Sequence, residues 1–332
     1  MADTKTQFIW PPIGQDRAID FLEKSLLSGK LAQTYVFAGP RDLGKSSLAL
    51  AFAHNLWRQD QGAGVSRGDF TSLNSDLYIL DKDPEKKQIS VEQARDFIKR
   101  LSLSSFSNSY KIGIIKEAKT LSPEAQNALL KTLEEPKDKV IIILLIEDTS
   151  FLMPTILSRS QVLYFYPVSS AAVYDYLLSS LDIKRSLAKE LAAASLGRPL
   201  QARAWADKPS AYQERADLVQ QLFTFNSLSL SARLQFIATA GNDNSFEATL
   251  AEEWITIWEG LWRDALLLSL GQDDRLQYPT LAEAGQKQLA VIPESERSSR
   301  CLANLKHLQQ ARAYIRGFVN PKHVLESLAI YL

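Results

Sequence analysis

The stretch YVFAGPRDLGKSSLALAFAHNLW, residues 35–57, decides the fold of the first part of this chain. Its apolar opening, residues 35–37, predicts a buried β-strand, and its apolar spacing over residues 45–57 predicts an α-helix. Between them, Gly39-Pro40-Arg41-Asp42-Leu43-Gly44-Lys45-Ser46 fits the pattern G-x-x-x-x-G-K-[ST]. A strand, this loop and a helix in that order predict a phosphate-binding loop, and an incidental glycine turn is the alternative interpretation.

The residue types in this loop suit a nucleotide. Gly39 and Gly44 let the backbone turn so that successive N–H groups and the helix N-terminus face phosphates. Lys45 would pair with the charge of the β- and γ-phosphates, and the Ser46 hydroxyl can ligate Mg²⁺. We therefore expect that ATP or ADP can bind here.

Outward from this loop, strand and helix patterns alternate. Further strands are predicted at Leu77–Leu80, Lys111–Ile115 and Val140–Ile146. Ser90 and Gln93 have the spacing of a capping box at the start of one helix. Another helix opens at Ser122-Pro123, runs to Glu135 and is stopped by Pro136. The alternation predicts an α/β domain with a parallel sheet over residues 1–166, and the three glycines in residues 61–68 predict a loop within it.

The second half of the chain changes character after Pro167. Helical patterns run almost throughout, and no stretch has a convincing strand pattern. We expect a small helical domain over residues 167–207 and a larger helical domain over residues 208–332. In the larger one, Trp254, Trp258 and Trp262 recur every four residues, which favours a buried stripe, with a contact surface as the alternative.

Composition excludes several classes of protein. With 332 residues, 45% apolar and 23% charged, the chain is neither a disulfide-stapled mini-protein nor a disordered one. Basic and acidic residues both number 38, so no whole-molecule field attracts nucleic acid. One cysteine and three scattered histidines predict no metal site and no zinc. The longest apolar run is too short to cross a membrane and the start lacks a secretion pattern, so we expect a cytoplasmic protein with no membrane partner.

The acidic pair that ATP hydrolysis requires is incomplete. Nucleotide hydrolases with such a loop use an aspartate to hold Mg²⁺ and a second residue to orient the attacking water, and both follow a neighbouring strand. Here that position carries Lys116 and Glu117. Because an ammonium competes with Mg²⁺, we expect weakened metal binding and poor hydrolysis even where phosphate binds.

Two further stretches carry a resemblance to a known family. LSPEAQNALLKTLEEP at residues 121–136 and PTILSRS at residues 154–160 are similar to segments of the bacterial clamp-loader AAA+ ATPases, which are subunits of the DNA polymerase III holoenzyme. IGQ at residues 13–15 and KLAQTYVF at residues 30–37 extend the likeness over most of the predicted α/β domain. ASLGRPL at residues 194–200 resembles the family's sensor-2 segment.

The resemblance implies an AAA+ (P-loop NTPase) domain followed by a helical lid and a helical collar that joins subunits. It implies gamma/tau and delta subunits, a sliding clamp and primer-template DNA as partners. Arg159 in Ser158-Arg159-Ser160 would then be an arginine finger for the nucleotide site of an adjacent subunit, with an ordinary surface arginine as the alternative. Arg198 becomes the sensor-2 candidate, either touching nucleotide or lying on the lid surface, and the polar sensor-1 position falls on Ile146 or Glu147.

Where this chain departs from the family pattern, it resembles the delta-prime branch more than the gamma/tau motor branch. The chain lacks the motor subunits' zinc-binding cysteines after the loop helix, carries Lys116 in the acidic pair, and is expected to lack tau's long C-terminal extension. The implied function is to help load the clamp as part of the DNA polymerase complex, without ATPase activity on its own. The alternatives are an active gamma/tau-type ATPase and a free-standing P-loop enzyme such as a small-molecule kinase.

A basic helix face is a candidate DNA contact. Arg95, Lys99 and Arg100 follow Ser90 on one predicted helix, and Arg95 and Lys99 lie one turn apart. In the family that the chain resembles, this region faces the chamber through which primer-template passes, and contact with phosphates would not depend on base sequence. An ordinary solvated helix face is the other interpretation.

Overall fold

The computed structural model describes the chain as two compact units. The described residues are 8–12, 14–61, 76–83, 85–86, 88–103, 110–135, 137–241 and 246–332, so most of the predicted loop at residues 61–68 and the predicted helix stop at Pro136 lie outside them. One unit comprises Met1–Tyr176 and Gly197–Leu200, and the other comprises Leu177–Leu196 and Gln201–Leu332. The three domains expected over residues 1–166, 167–207 and 208–332 stay a prediction.

A parallel β-sheet forms the centre of the first unit. Its described strands are β1 (Thr34–Ala38), β2 (Leu77–Leu80), β3 (Lys111–Ile115), β4 (Val140–Ile146) and β5 (Gln161–Tyr164). They lie in the order β2-β3-β4-β1-β5, and every neighbouring pair is parallel. The predicted α/β class is confirmed, and so are the predicted bounds of β2, β3 and β4.

Helices cover both faces of this sheet. The helices of this unit are α1 (Asp16–Ser28), α2 (Lys45–Gln61), α3 (Val91–Ser102), α4 (Pro123–Glu134) and α5 (Pro154–Leu157). Helix α6 (Ser170–Ser180) spans the boundary between the two units. Residues of α1 and α2 pack with Ile141 and Ile143 of β4 in one core cluster. Residues of α3 and α4 pack with Ile142 and Leu144 in another. Burial on both faces explains why β4 is apolar without interruption.

Local signals in the sequence agree with most of these elements. Ser90 Oγ accepts the N–H of Gln93, whose side chain accepts the N–H of Ser90 at 3.0 Å, so the predicted capping box forms at the start of α3. The helix α1 and the edge strand β5 were not identified from the sequence, and in β5 only Leu163 is buried. Helix α2 also continues beyond its predicted end at Trp57 to Gln61.

The strand register brings three segments of the chain to one edge of the sheet. Ala38 of β1 pairs with Ile146 of β4, and β3 pairs with β4 in the same direction. Because the strands are parallel, the residues that follow them emerge together, namely Gly39 after β1, Lys116 after β3 and Glu147 after β4. A ligand held by the loop after β1 would therefore meet residues from three strand ends.

Helices dominate the second unit. Beyond α6 the chain forms α7 (Arg185–Ala194), α8 (Pro199–Asp207), α9 (Pro209–Phe225), α10 (Leu230–Ala240), α11 (Ala248–Ser269), α12 (Ala282–Ala290), α13 (Glu294–Arg316) and α14 (Pro321–Tyr331). Trp254, Trp258 and Trp262 of α11 are all buried in its core, and Trp258 Nε1 donates to Leu222 O at 3.3 Å. The buried interpretation of the tryptophan stripe is confirmed.

Two properties of the described residues bear on function. None of their helices is long and apolar enough to span a membrane. They also contain no group of three or more His, Cys, Asp or Glu side chains arranged to hold a metal ion.

Candidate nucleotide-binding site

The loop between β1 and α2 is a tight turn that needs glycine at both ends. Gly39 and Gly44 have φ values of 145° and 85°, in the region that glycine adopts without strain. A Cβ at position 39 would also overlap the carbonyl oxygen of Phe165. The turn makes Lys45 the first residue of α2, whose first N–H groups have no partner within the helix and can bind an anion.

A cavity of about 340 Å³ opens in front of this loop. Its lining residues come from the loop, from the ends of β2, β3 and β4, and from the start of α8. They are Arg41, Asp42, Gly44, Lys45, Ser46, Asp81, Lys116, Glu117, Lys119, Leu145, Ile146, Glu147 and Leu200. The structure thus brings together five residues predicted from sequence: Gly44, Lys45, Ser46, Lys116 and Glu117. Gly39 lies at the base of the loop and does not line the cavity.

Lys45 is held by uncharged partners. Its Nζ donates to the carbonyl oxygens of Gly39 and Pro40 in its own loop. Burial lowers the pKa of Lys45 to about 8, because removal from water disfavours the ammonium. An anion in the cavity would restore a favourable environment for that charge, so this side chain fits a phosphate.

Glu147 links two cations of the cavity. Its carboxylate accepts from Arg41 Nε at 2.6 Å and from Lys119 Nζ at 2.9 Å. Burial opposes the charge, but the hydrogen bonds from Lys119 and Arg41 hold the pKa of Glu147 below its usual value. Neither Arg41 nor Lys119 is recognisable from the sequence as a site residue, because Arg41 fills a variable position of the loop motif and Lys119 belongs to no motif.

Three carboxylates of the cavity, those of Asp81, Glu117 and Glu147, are already paired with cations. Asp81, after β2, lies 3.4 Å from Lys116 Nζ, and Glu117 lies 3.2 Å from Arg41 Nη2. Ser46 lines the same cavity. The residues present therefore fit the phosphates of a nucleotide, whereas a divalent cation would have to compete with an ammonium or a guanidinium for each of these three carboxylates.

The sensor-2 candidate stands next to the cavity. Leu200 lines it, and the N–H of Leu200 donates to Asp42 O of the loop at 3.1 Å. Arg198, two residues earlier, is half-buried and is not among the lining residues.

Arg159 lies after α5 and contacts its own neighbours. Its Nη2 pairs with Glu134 at 2.9 Å, and its Nη1 donates to Thr155 O at 3.1 Å and to Ser158 Oγ at 3.3 Å. Neither Arg159 nor these partners line the cavity of this chain.

The basic residues of α3 are exposed and do not line the cavity. Arg95, Lys99 and Arg100 all face solvent, and Arg100 pairs with Asp96 at 2.8 Å. The opposite face of the helix is buried through Ala94, Phe97 and Leu101. Both earlier interpretations of this face, DNA contact and plain solvation, are compatible with this arrangement.

Comparison with known proteins finds relatives among the subunits of bacterial DNA polymerase III. A family model described as "DNA polymerase III, delta subunit" matches residues 14–169. The DNA polymerase III delta-prime subunit of Bacillus subtilis is 24% identical over 324 residues, 96% of each chain, and that of Pseudomonas aeruginosa is 27% identical over 235 residues, 68% of this chain and 70% of the relative. The tau subunit of Bacillus subtilis is 30% identical over 185 residues, which are 54% of this chain and 32% of the relative. The chain is thus similar to bacterial DNA polymerase III delta-prime subunits over most of its length.

Proposed function

We propose that this chain is a delta-prime subunit and works within an assembled clamp loader. In this proposal it joins gamma/tau and delta subunits, helps to place the sliding clamp on primer-template DNA, and does not turn over ATP by itself. The delta-prime relative that matches 96% of the chain and the tau relative that matches 54% of it support the assignment.

The position of Arg159 is the observation that carries the proposal. Its side chain is 39% exposed and is oriented by Glu134 and Thr155, neither of which lines the chain's own cavity. An exposed, oriented arginine outside its own nucleotide site suits action on the ATP of an adjacent subunit. There the guanidinium would stabilise the charge that develops on the γ-phosphate during transfer.

The chain's own cavity supports nucleotide binding without turnover. Gly44, Lys45 and Ser46 would hold the phosphates of ATP or ADP through backbone N–H groups, the ammonium and the hydroxyl. Lys116 stands where a metal-binding carboxylate is needed and is paired with Asp81, so Mg²⁺ binding is weakened. The same incomplete acidic pair argues against an active motor subunit, and zinc has no part in the proposal.

The remaining assignments concern surfaces outside the cavity. We propose the division into a nucleotide-binding domain over residues 1–166, a lid over residues 167–207 and a collar over residues 208–332, with Arg198 as the lid's residue toward nucleotide. The exposed face of α3 with Arg95, Lys99 and Arg100 would contact DNA phosphates without reading sequence. The site of action would be the cytoplasm, where bacterial chromosomes are replicated.

Co-purification tests this function directly. The full chain, tagged and expressed at its native level, should recover gamma/tau and delta subunits from its own cell extract. Adding clamp and primed DNA should stimulate ATP hydrolysis by the recovered complex. Recovery of the chain as a lone monomer that turns over ATP would contradict the proposal and favour a free-standing enzyme.

A further inference from the structure

Glu147 stands beside the start of the phosphate-binding loop. It directly follows Ile146, whose carbonyl oxygen accepts the N–H of Gly39 at 3.1 Å. From there its carboxylate reaches Arg41 at 2.6 Å and Lys119 at 2.9 Å, and all three side chains line the cavity. A negative charge therefore already lies between the cationic side chains that would otherwise bind a phosphate.

The cations of the cavity differ in what an anion must displace. Lys45 Nζ is held by carbonyl oxygens of its own loop, so an anion can approach it without breaking an ion pair. Arg41 and Lys119 are both held by Glu147, and either can bind a phosphate only in competition with that carboxylate. The loop and Lys45 are thus open to an anion, whereas the cations beyond them are occupied.

This difference affects the third phosphate of a nucleotide more than the first two. The loop N–H groups and the helix N-terminus cradle the α- and β-phosphates, and Lys45 reaches the β- and γ-phosphates. Beyond Lys45, a third phosphate would find the other cations of the cavity already paired with carboxylates, namely Arg41, Lys119 and Lys116. It would also meet the charge of Glu147, a like charge in a partly buried place. We propose that Glu147 makes this cavity selective for nucleoside diphosphates over nucleoside triphosphates. The inference rests on the nucleotide binding proposed above and specifies its ligand.

The expected selectivity is at least tenfold. Hydrogen bonds from Lys119 and Arg41 outweigh the effect of burial and keep the pKa of Glu147 low, so the group is a carboxylate at neutral pH. A tenfold ratio of dissociation constants corresponds to about 1.4 kcal/mol. Repulsion between two unit charges a few ångströms apart near a protein surface is large enough to produce it.

The test compares ADP with ATP on the full chain and on Glu147→Gln. Titration calorimetry at fixed Mg²⁺ and low ionic strength should show that the wild-type chain binds ADP at least tenfold more tightly than ATP. Glu147→Gln keeps the size of the side chain and removes its charge, so ATP should bind at least tenfold more tightly than to wild type while the ADP affinity changes less than about threefold. Asp60→Asn is the matched control, because Asp60 also sits in an ion pair but lies near the far end of α2, about 22 Å from Lys45 along the helix.

Each outcome of this titration decides something. A wild-type chain that binds ADP and ATP within threefold of each other overturns the selectivity, and this needs no variant. An ADP to ATP ratio that is the same in Glu147→Gln as in wild type, or that shifts equally in Asp60→Asn, also overturns it while leaving nucleotide binding intact. Binding of neither nucleotide to either protein would remove nucleotide binding itself, and the selectivity would fall with it, whereas the role of Arg159 in trans would be unaffected.

Discussion

Replacing Arg159 by alanine should slow an assembled clamp loader without unfolding this chain. The side chain of Arg159 is 39% exposed and that of Glu134 is 51% exposed, and ion pairs at such positions contribute about 0–1 kcal/mol. The hydrogen bond from Arg159 to Thr155 O lies within the same short turn and is also exposed. We therefore expect Arg159→Ala to lower the free energy of unfolding by less than about 1 kcal/mol, seen as a small shift of the urea midpoint.

Arg159→Ala should greatly slow ATP hydrolysis at one site, whereas the total rate of the complex should fall only in part. Arginine fingers contribute about 10³ to 10⁵ in rate, so an ATP site that loses its finger stops contributing to turnover. Only one of several sites in the complex would receive Arg159, so the total rate should fall by the share of that site. Arg159→Lys should restore little, because an ammonium cannot reproduce the planar fork that spans two phosphate oxygens.

The assay is steady-state ATP hydrolysis and clamp loading, stimulated by clamp and primed DNA, in complexes that differ only in this chain. Arg203→Ala is the matched control, since Arg203 is likewise exposed, at 47%, and paired with a carboxylate, Asp207. We expect the control to match wild type in both measurements. Unchanged rates in a fully assembled Arg159→Ala complex would refute the role in trans, and loss of assembly would show that Arg159 is structural.

Other measurements address the cavity and the metal content. Because burial lowers the pKa of Lys45 to about 8, nucleotide affinity should fall as pH rises above that value and the ammonium loses its proton, whereas Lys45→Met should show no such fall in calorimetry. Lys116→Asp should raise Mg²⁺ affinity more than turnover, because Glu147 still occupies the end of β4 and no neighbour supplies an arginine. A wild-type turnover of about 1 s⁻¹ in the isolated chain would contradict this expectation. Elemental analysis should find no stoichiometric zinc, since Cys301 is the single cysteine, and zinc that resists mild chelation would show that the metal ligands were misjudged.

The first unit was predictable in outline because its signals are local. An uninterrupted apolar run identified β4, and Ser90 and Gln93 marked the start of α3 through contacts three residues apart. In the second unit, spacing also predicted that the tryptophan stripe of α11 is buried, because it places all three rings on one helix face. Strand β5 was missed because an edge strand with one buried residue, Leu163, offers no alternation to recognise.

The charges of the cavity were only partly predictable, because they depend on the order of the strands. The loop motif identified Lys45 and Ser46, but alternating strands and helices do not say which strand lies next to β1. In the observed order β4 lies next to β1. Glu147 follows the end of β4 and pairs with Arg41, which lies 106 residues earlier in the chain. A contact across that separation has no local pattern in the sequence. The motif alone therefore overstates the positive charge that is available to a ligand. The loop supplies the backbone groups that bind phosphates, but residues at the other strand ends determine how many cations remain unpaired for them.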